Sequence, residues 1–265
     1  MHPIFHFKFF EMPAYGSVIA LGLIIGVLVS LTLAKIYDFT KQDVLLSTII
    51  ASMGMIIFAK IFYVITLIPG IIKHFDIVRK NIMAVLIILG SGYVFYGGLI
   101  GALLGYKLYC KIFKLDTLKL LNVIVPCVPL VHAFGRIGCF LGGCCYGIEY
   151  HGPFAIHFPP NIFVEELNLV PRFPVQPLEA ILNFILFIIL YLIARKKRED
   201  GLLLGLYLII YPVIRFSLEF LRGDGIRGKI FGISTSQYIS IILFFIGIYF
   251  IIRAKNKNQK SDVMH

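Results

Sequence analysis

Seven times along the chain a run of apolar residues recurs, at 15–36, 44–68, 93–113, 118–141, 177–194, 201–221 and 233–252. Each is close to the ~20 helical residues that cross a hydrocarbon core of ~30 Å. In lipid every backbone N–H and C=O must be satisfied within the chain, so runs of this length leave helices as the answer. The composition agrees: 59% of the 265 residues are hydrophobic and 15% charged, against roughly 45–50% and ~25% in soluble domains. Disordered, collagen-like and disulfide-scaffold classes are excluded on the same ground.

Charge sets the orientation. The net charge of +11 sits mainly in short clusters such as Arg195-Lys196-Lys197-Arg198 and a tail with Arg253, Lys255, Lys257 and Lys260. No basic domain accompanies it, so nucleic acid is not an expected partner. Assigning loops alternately gives 14 Lys and Arg on the side of the C-terminus and 8 on the other, with Lys60, Arg136 and Arg215 inside spans. Positive-inside bias then puts the C-terminus in the cytoplasm and the N-terminus outside. No cleavable signal peptide is visible. Trp is absent, leaving 14 Tyr and 24 Phe to anchor the interfaces.

The expectation is an all-α integral membrane protein: one domain over 1–265, seven transmembrane helices, an interfacial arm over 71–89 and a small extracytoplasmic head over 148–175. The arm ends at the helix-breaking Gly90-Ser91-Gly92. Gly97, Gly101 and Gly105, four residues apart, let another helix approach closely.

Lys60, Tyr96, Arg136 and Arg215 all fall toward the outer ends of their spans; Arg136 lies about 27 Å along its helix at 1.5 Å per residue. An intramembrane cation pairs, snorkels or lines a polar cavity. Arg215, Glu219 and Arg222 share one helix face and read as an ion-pair ladder. Arg136 stands in His132-Ala-Phe-Gly135-Arg136-Ile-Gly138-Cys139-Phe-Leu-Gly-Gly-Cys144-Cys145-Tyr-Gly147. Glycine at this density exposes backbone N–H groups. An arginine among them is a natural receptor for a phosphate, gripped through two parallel hydrogen bonds.

These residues carry a specific resemblance. The block from Gly135-Arg136-Ile137-Gly138 to Tyr146-Gly147 resembles the signature of the bacterial prolipoprotein diacylglyceryl transferases. Tyr15-Gly16 at the first span and Gly97-Gly98-Leu99-Ile100-Gly101 are similar to further family elements. So are Pro171-Arg172-Phe173-Pro174-Val175-Gln176 with Glu179, and Arg215-x3-Glu219-Phe220-x-Arg222. The resemblance covers nearly the whole chain. It implies transfer of the diacylglyceryl group of phosphatidylglycerol to the thiol of a lipobox Cys in a secreted preprotein, with sn-glycerol-1-phosphate leaving, in the bacterial cytoplasmic membrane. It implies no cofactor.

By resemblance, Arg136 and Arg172 neutralise the phosphate and hold the ester in line, while Tyr15, Gly97, Gly98, Gly135, Gly138, Cys139, Gly147, Gln176, Glu179, Arg215, Glu219 and Arg222 contact substrate; Lys60 joins these by its depth as an intramembrane cation. Arg172, in the head loop, would close down on the lipid. Three positions depart from the family pattern: its His is Tyr96, its Asn is Cys139, and its Glu is Cys144. His132, one turn before Arg136, is a candidate replacement base, since His titrates near neutrality. Tyr96, whose ordinary pKa is ~10, suits a hydrogen bond to phosphate better than proton abstraction. The departures keep two other readings open: a related membrane transferase with a different acceptor, or a non-catalytic phospholipid-binding or transport protein. The spacing of Cys139, Cys144 and Cys145 does not fit a tetrahedral chelate, and no metal is expected. Oligomeric state is not encoded in any of these motifs.

Overall fold

The computed structural model describes residues 4–6, 11–73, 83, 88, 90, 92–159, 169–223, 229–230 and 232–262. A short hairpin, β1 (Ile4–His6) and β2 (Glu11–Pro13), leads into α1 (Ala14–Ala34). Then come α2 (Lys41–Lys73), α3 (Phe95–Ile112), α4 (Thr117–Ile124), α5 (Val128–Gly142), α6 (Val175–Ala194) and α7 (Leu202–Glu219). A second hairpin, β3 (Lys229–Ile230) with β4 (Ile233–Ser234), precedes α8 (Thr235–Asp262).

The protein is a helical membrane protein. Six helical stretches among the described residues are long and apolar enough to cross a bilayer: Ala14–Tyr37, Lys41–Lys73, Thr117–Gly142, Val175–Ala194, Leu202–Glu219 and Thr235–Asn256. The third of these joins α4 and α5 through a 3-10 turn at Val125–Cys127, where Pro126 removes a backbone donor. The helix α3 has 18 residues and carries Lys107 and Lys111 in its second half.

The helix faces are sorted inside out relative to a soluble protein. Along the middle of α1 Gly22, Gly26 and Ser30 are buried, joined by Ala14, Leu33 and Ala34 at its ends, whereas Leu21, Ile24 and Leu28 are exposed. On α6, Gln176, Glu179 and Asn183 are buried and Ile181, Ile185 and Leu192 exposed. Lipid tails solvate large apolar side chains as well as a protein core does, so small and polar residues take the interhelical seams.

Two compact units are present: Met1–Phe39 with Leu118–His265, and Thr40–Thr117. In the first, α5 packs on α1 and α6, and α7 on α6 and α8. Fully buried Asn122 staples the loop after α6, donating to Arg198 O and Glu199 O at 3.3 and 2.9 Å and accepting from Leu203 N. In the second unit α2 and α3 pack so closely that a Cβ on Gly101 would lie 2.1 Å from Gly54 O.

Two boundaries differ from the sequence reading. Residues 71–73, expected in an interfacial arm, continue α2 as helix beyond Pro69; the proline removes one donor but leaves the preceding turns bonded. The C-terminal helix runs on to Asp262, where the expected span ends at 252. Of the expected arm, 74–82, 84–87 and 89 lie outside the described residues, as do 160–168 of the expected head.

Candidate functional site

The site is assembled at the end of α5. There Gly143 takes a left-handed conformation (φ 70°) and Cys145 follows at φ 60°. This reverses the chain, and Cys144 N returns to Cys139 O at 3.1 Å. A second anchor comes from α6, where the amide of Gln176 donates from Nε2 to Cys144 O at 3.0 Å.

Beyond the turn, residues 146–158 are stitched by backbone bonds to two other segments. Gly223 N donates to Tyr146 O at 3.0 Å and Ile148 N to Leu221 O at 3.0 Å on one side. On the other, Phe173 N donates to Ile148 O at 3.0 Å, and Arg172 and Ile156 exchange bonds of 2.9 Å. A Cβ on Gly147 would lie 2.3 Å from Phe173 O, so only glycine fits where these segments meet.

The scaffold delivers charge. Arg136 Nε donates to Glu179 Oε1 at 2.9 Å, and the Glu179 side chain is 2% exposed. Arg215 Nη2 meets Glu219 Oε2 at 2.6 Å, and Arg222 Nε reaches the same oxygen at 4.0 Å. Arg136 is within electrostatic reach of Arg222, Cys139 and Cys145 as well as Glu179. Arg172 lies with its guanidinium 4.4 Å from the Tyr146 ring centroid. Arg136, Arg215 and Arg222 thus gather with Glu179 and Glu219 around Tyr211. Such a constellation, shielded from water, favours an anion with geometry for forked donors.

Around these charges sit the smaller partners. Tyr15 packs against Gly138, where a Cβ would meet its ring at 3.2 Å, and it is within electrostatic reach of Arg136 and the three neighbouring cysteines. Gly135 faces Ile19 of α1. The Sγ atoms of Cys139, Cys144 and Cys145 lie within 4.8 Å of one another. Hydrogen bonds from Cys139 and Cys144, with the Arg222 guanidinium beyond them, hold the Cys145 thiol well below the usual thiol range. His132 lies one turn before Arg136; its Nδ1 is 3.4 Å from Tyr207 Oη, and its ring centroid is 5.0 Å from that of Tyr211. Among the described residues, Gln176 Oε1 and Asn183 Oδ1 are buried without a hydrogen-bond partner.

The first unit thus brings together Tyr15, His132, Gly135, Arg136, Gly138, Cys139, Gly147, Arg172, Gln176, Glu179, Arg215, Glu219 and Arg222. Lys60, Tyr96, Gly97 and Gly98 belong to the second unit. There Lys60 Nζ donates to Gly90 O and Gly92 O at 2.9 and 3.2 Å and lies 4.6 Å from the Tyr93 ring centroid. Gly97 and Gly98 are buried against α2, Gly97 beside Phe58 O and Phe62. Tyr96 is 49% exposed and meets Phe95 edge-on.

Sequence reading missed Tyr207 and Tyr211, which hold His132, and Tyr146 beneath Arg172. The signal was present for the first two: Tyr207, Tyr211, Arg215 and Glu219 follow at four-residue intervals, one face of α7.

Comparison with known proteins covers nearly the whole chain. The family model described as "Prolipoprotein diacylglyceryl transferase" matches residues 2–253. A phosphatidylglycerol–prolipoprotein diacylglyceryl transferase from Clostridium tetani is 37% identical over 235 residues, 89% of this chain and 90% of that protein. One from Clostridium perfringens, numbered 2 in its name, is 34% identical over 251 residues, 94% of each. Another, from Clostridium novyi, is 31% identical over 265 residues, 98% of this chain and 99% of that one.

Proposed function

The chain belongs to the prolipoprotein diacylglyceryl transferase family, and we propose that it moves the diacylglyceryl group of phosphatidylglycerol onto the lipobox Cys thiol of a prolipoprotein, with Arg136 as the centre of the headgroup site. One observation carries the residue assignment: Arg136 is held by buried Glu179 beside the Arg215–Glu219 pair and Arg222, which concentrates three guanidiniums at one place.

The reaction is a displacement at carbon. The lipobox sulfur bonds to the glycerol carbon of the diacylglyceryl group, and the bond from that carbon to the phosphate oxygen breaks. The electron pair leaves with sn-glycerol-1-phosphate, so negative charge grows on the leaving phosphate. Arg136 and Arg172 neutralise it and hold the ester in line. The second ion pair, Arg215 with Glu219, and Arg222 beside it fix the far wall of the anion site.

The thiol must first lose its proton, because the thiolate is the nucleophile. His132 takes this proton, with Tyr207 orienting the imidazole through the 3.4 Å contact. The acceptor Gln176 Oε1, which has no partner among the described residues, is suited to a hydroxyl of the glycerol headgroup. The step is neither redox nor hydrolytic, and nothing in it calls for a cofactor.

Family membership supports the bacterial cytoplasmic membrane, and the distribution of Lys and Arg supports a cytoplasmic C-terminus with the segment around Arg172 outside. There it meets preproteins and the outer leaflet. Transfer in proteoliposomes tests the assignment, using phosphatidylglycerol labelled in its diacylglyceryl part and a lipobox peptide. Label is expected on the peptide and absent from a Cys→Ser peptide, and absent with Arg136→Ala. Full transfer by Arg136→Ala would overturn the headgroup site; lipid held through Arg136 without transfer would point to a different acceptor.

A further inference from the structure

Cys139, Cys144 and Cys145 occupy a region where the family resemblance expects an amide and a carboxylate rather than thiols. In sequence, two adjacent cysteines and a third five residues earlier make a poor tetrahedral chelate. The fold supplies another geometry. The left-handed turn at Gly143 and the positive φ of Cys145 fold the vicinal pair back over the last turn of α5. The three Sγ atoms come within 4.8 Å of one another. Sulfurs sharing one ion at metal–sulfur distances of ~2.3 Å in a trigonal plane are ~4 Å apart, so closure requires contraction of less than about one ångström. One backbone and one side-chain hydrogen bond already fix two corners, Cys144 N donating to Cys139 O and Gln176 Nε2 to Cys144 O.

We propose that Cys139, Cys144 and Cys145 form a three-sulfur site for a single soft, thiophilic metal ion. Three thiolates select ions of the copper(I), zinc and cadmium class over magnesium or calcium. Three thiolates around a divalent ion leave one net negative charge, which Arg136 and Arg222 face. Cys139 is buried while Cys144 and Cys145 are half-buried, so an ion enters from the side of the vicinal pair. The remaining cysteines, Cys110 and Cys127, are buried elsewhere on α3 and in the turn before α5. The site does not depend on the transferase assignment: binding is read without turnover.

The test is titration of the reduced, full-length protein in detergent with Cd²⁺, read by sulfur-to-metal charge-transfer absorption and by metal content after desalting. One ion per chain and a band lost in Cys139→Ser, Cys144→Ser and Cys145→Ser, but kept in Cys110→Ser and Cys127→Ser, is the expected result. Maleimide labelling of the wild type guards against misfolding of the variants: Cd²⁺ should protect Cys144 and Cys145 from modification. A band indifferent to Cys145→Ser, labelling unaffected by Cd²⁺, or a mass showing two of the three sulfurs joined as a disulfide in the reduced preparation would overturn the site.

Discussion

Arg136 and Glu179 are joined across the α5–α6 seam by a 2.9 Å bond from Nε to Oε1, with the carboxylate almost wholly buried. Removing one partner strands a charge, which costs ~3–5 kcal/mol when a buried pair is broken. Glu179→Ala should therefore lower thermal stability in detergent sharply, and Arg136→Ala/Glu179→Ala should lose less than the two single changes added together. Arg136→Lys keeps the charge but not the fork, and transfer should fall by ~10²–10³, the usual cost of an electrostatic donor at a reacting centre. A double variant that loses the full sum of the two single losses would show that the two residues are not coupled.

Gly147 sits where three backbone segments meet. With its would-be Cβ 2.3 Å from Phe173 O and 3.1 Å from Leu221 O, Gly147→Ala has to push apart the two segments that carry Arg172 and Arg222. Overpacking of this kind costs ~1–3 kcal/mol. Thermal melting and transfer should both suffer. Gly142→Ala is the control, since a Cβ there would meet nothing among the described residues within 4 Å beyond its own helix backbone; it should melt like the wild type.

His132 can be separated from a packing role by its pH signature. Loss of a general base typically costs ~10²–10⁴ in rate. His132→Ala should lower kcat by that order, with little change in the concentration of phosphatidylglycerol needed for half-maximal rate. It should also abolish the fall in rate on the acidic side of the pH profile. Tyr207→Phe, which removes only the 3.4 Å contact to Nδ1, should shift that limb without eliminating it. An unchanged profile in His132→Ala would exclude the imidazole as base.

The fold class was legible because bilayer thickness dictates run length, and apolar runs survive any choice of packing. The Arg215–Glu219 pair was legible too, since four residues on a helix is a contact distance irrespective of tertiary structure. The Arg136–Glu179 pair was not: 43 positions separate the two residues, and only the packing of α5 on α6 closes the gap. Cys145 illustrates the same limit. Its spacing from Cys139 argues against convergence until the left-handed turn at Gly143 is known. Lys60 shows the reverse case, where an intramembrane cation with a functional reading finds carbonyl partners at Gly90 and Gly92.

At the other end of the first unit, Asp38 gathers Lys119 and Lys197 at 2.9 and 2.5 Å. Hydrogen bonds from Lys197 and Lys119 hold its carboxyl down to about 2. A carboxylate whose folded pKa is depressed contributes stability in full above its unfolded value of ~3.9. That contribution is lost as pH falls through the folded value. The melting-temperature gap between wild type and Asp38→Asn should therefore stay level from pH 8 to about 5, then close as the pH drops through about 4 toward 2. Asn tolerates the left-handed conformation found at Asp38 (φ 59°), so the substitution removes charge without straining the turn. The triad is solvent-exposed, and the gap should also narrow in ~1 M salt, where the screening length is ~3 Å. A gap that widens on acidification would mean that Asp38 is held by something other than its two lysines.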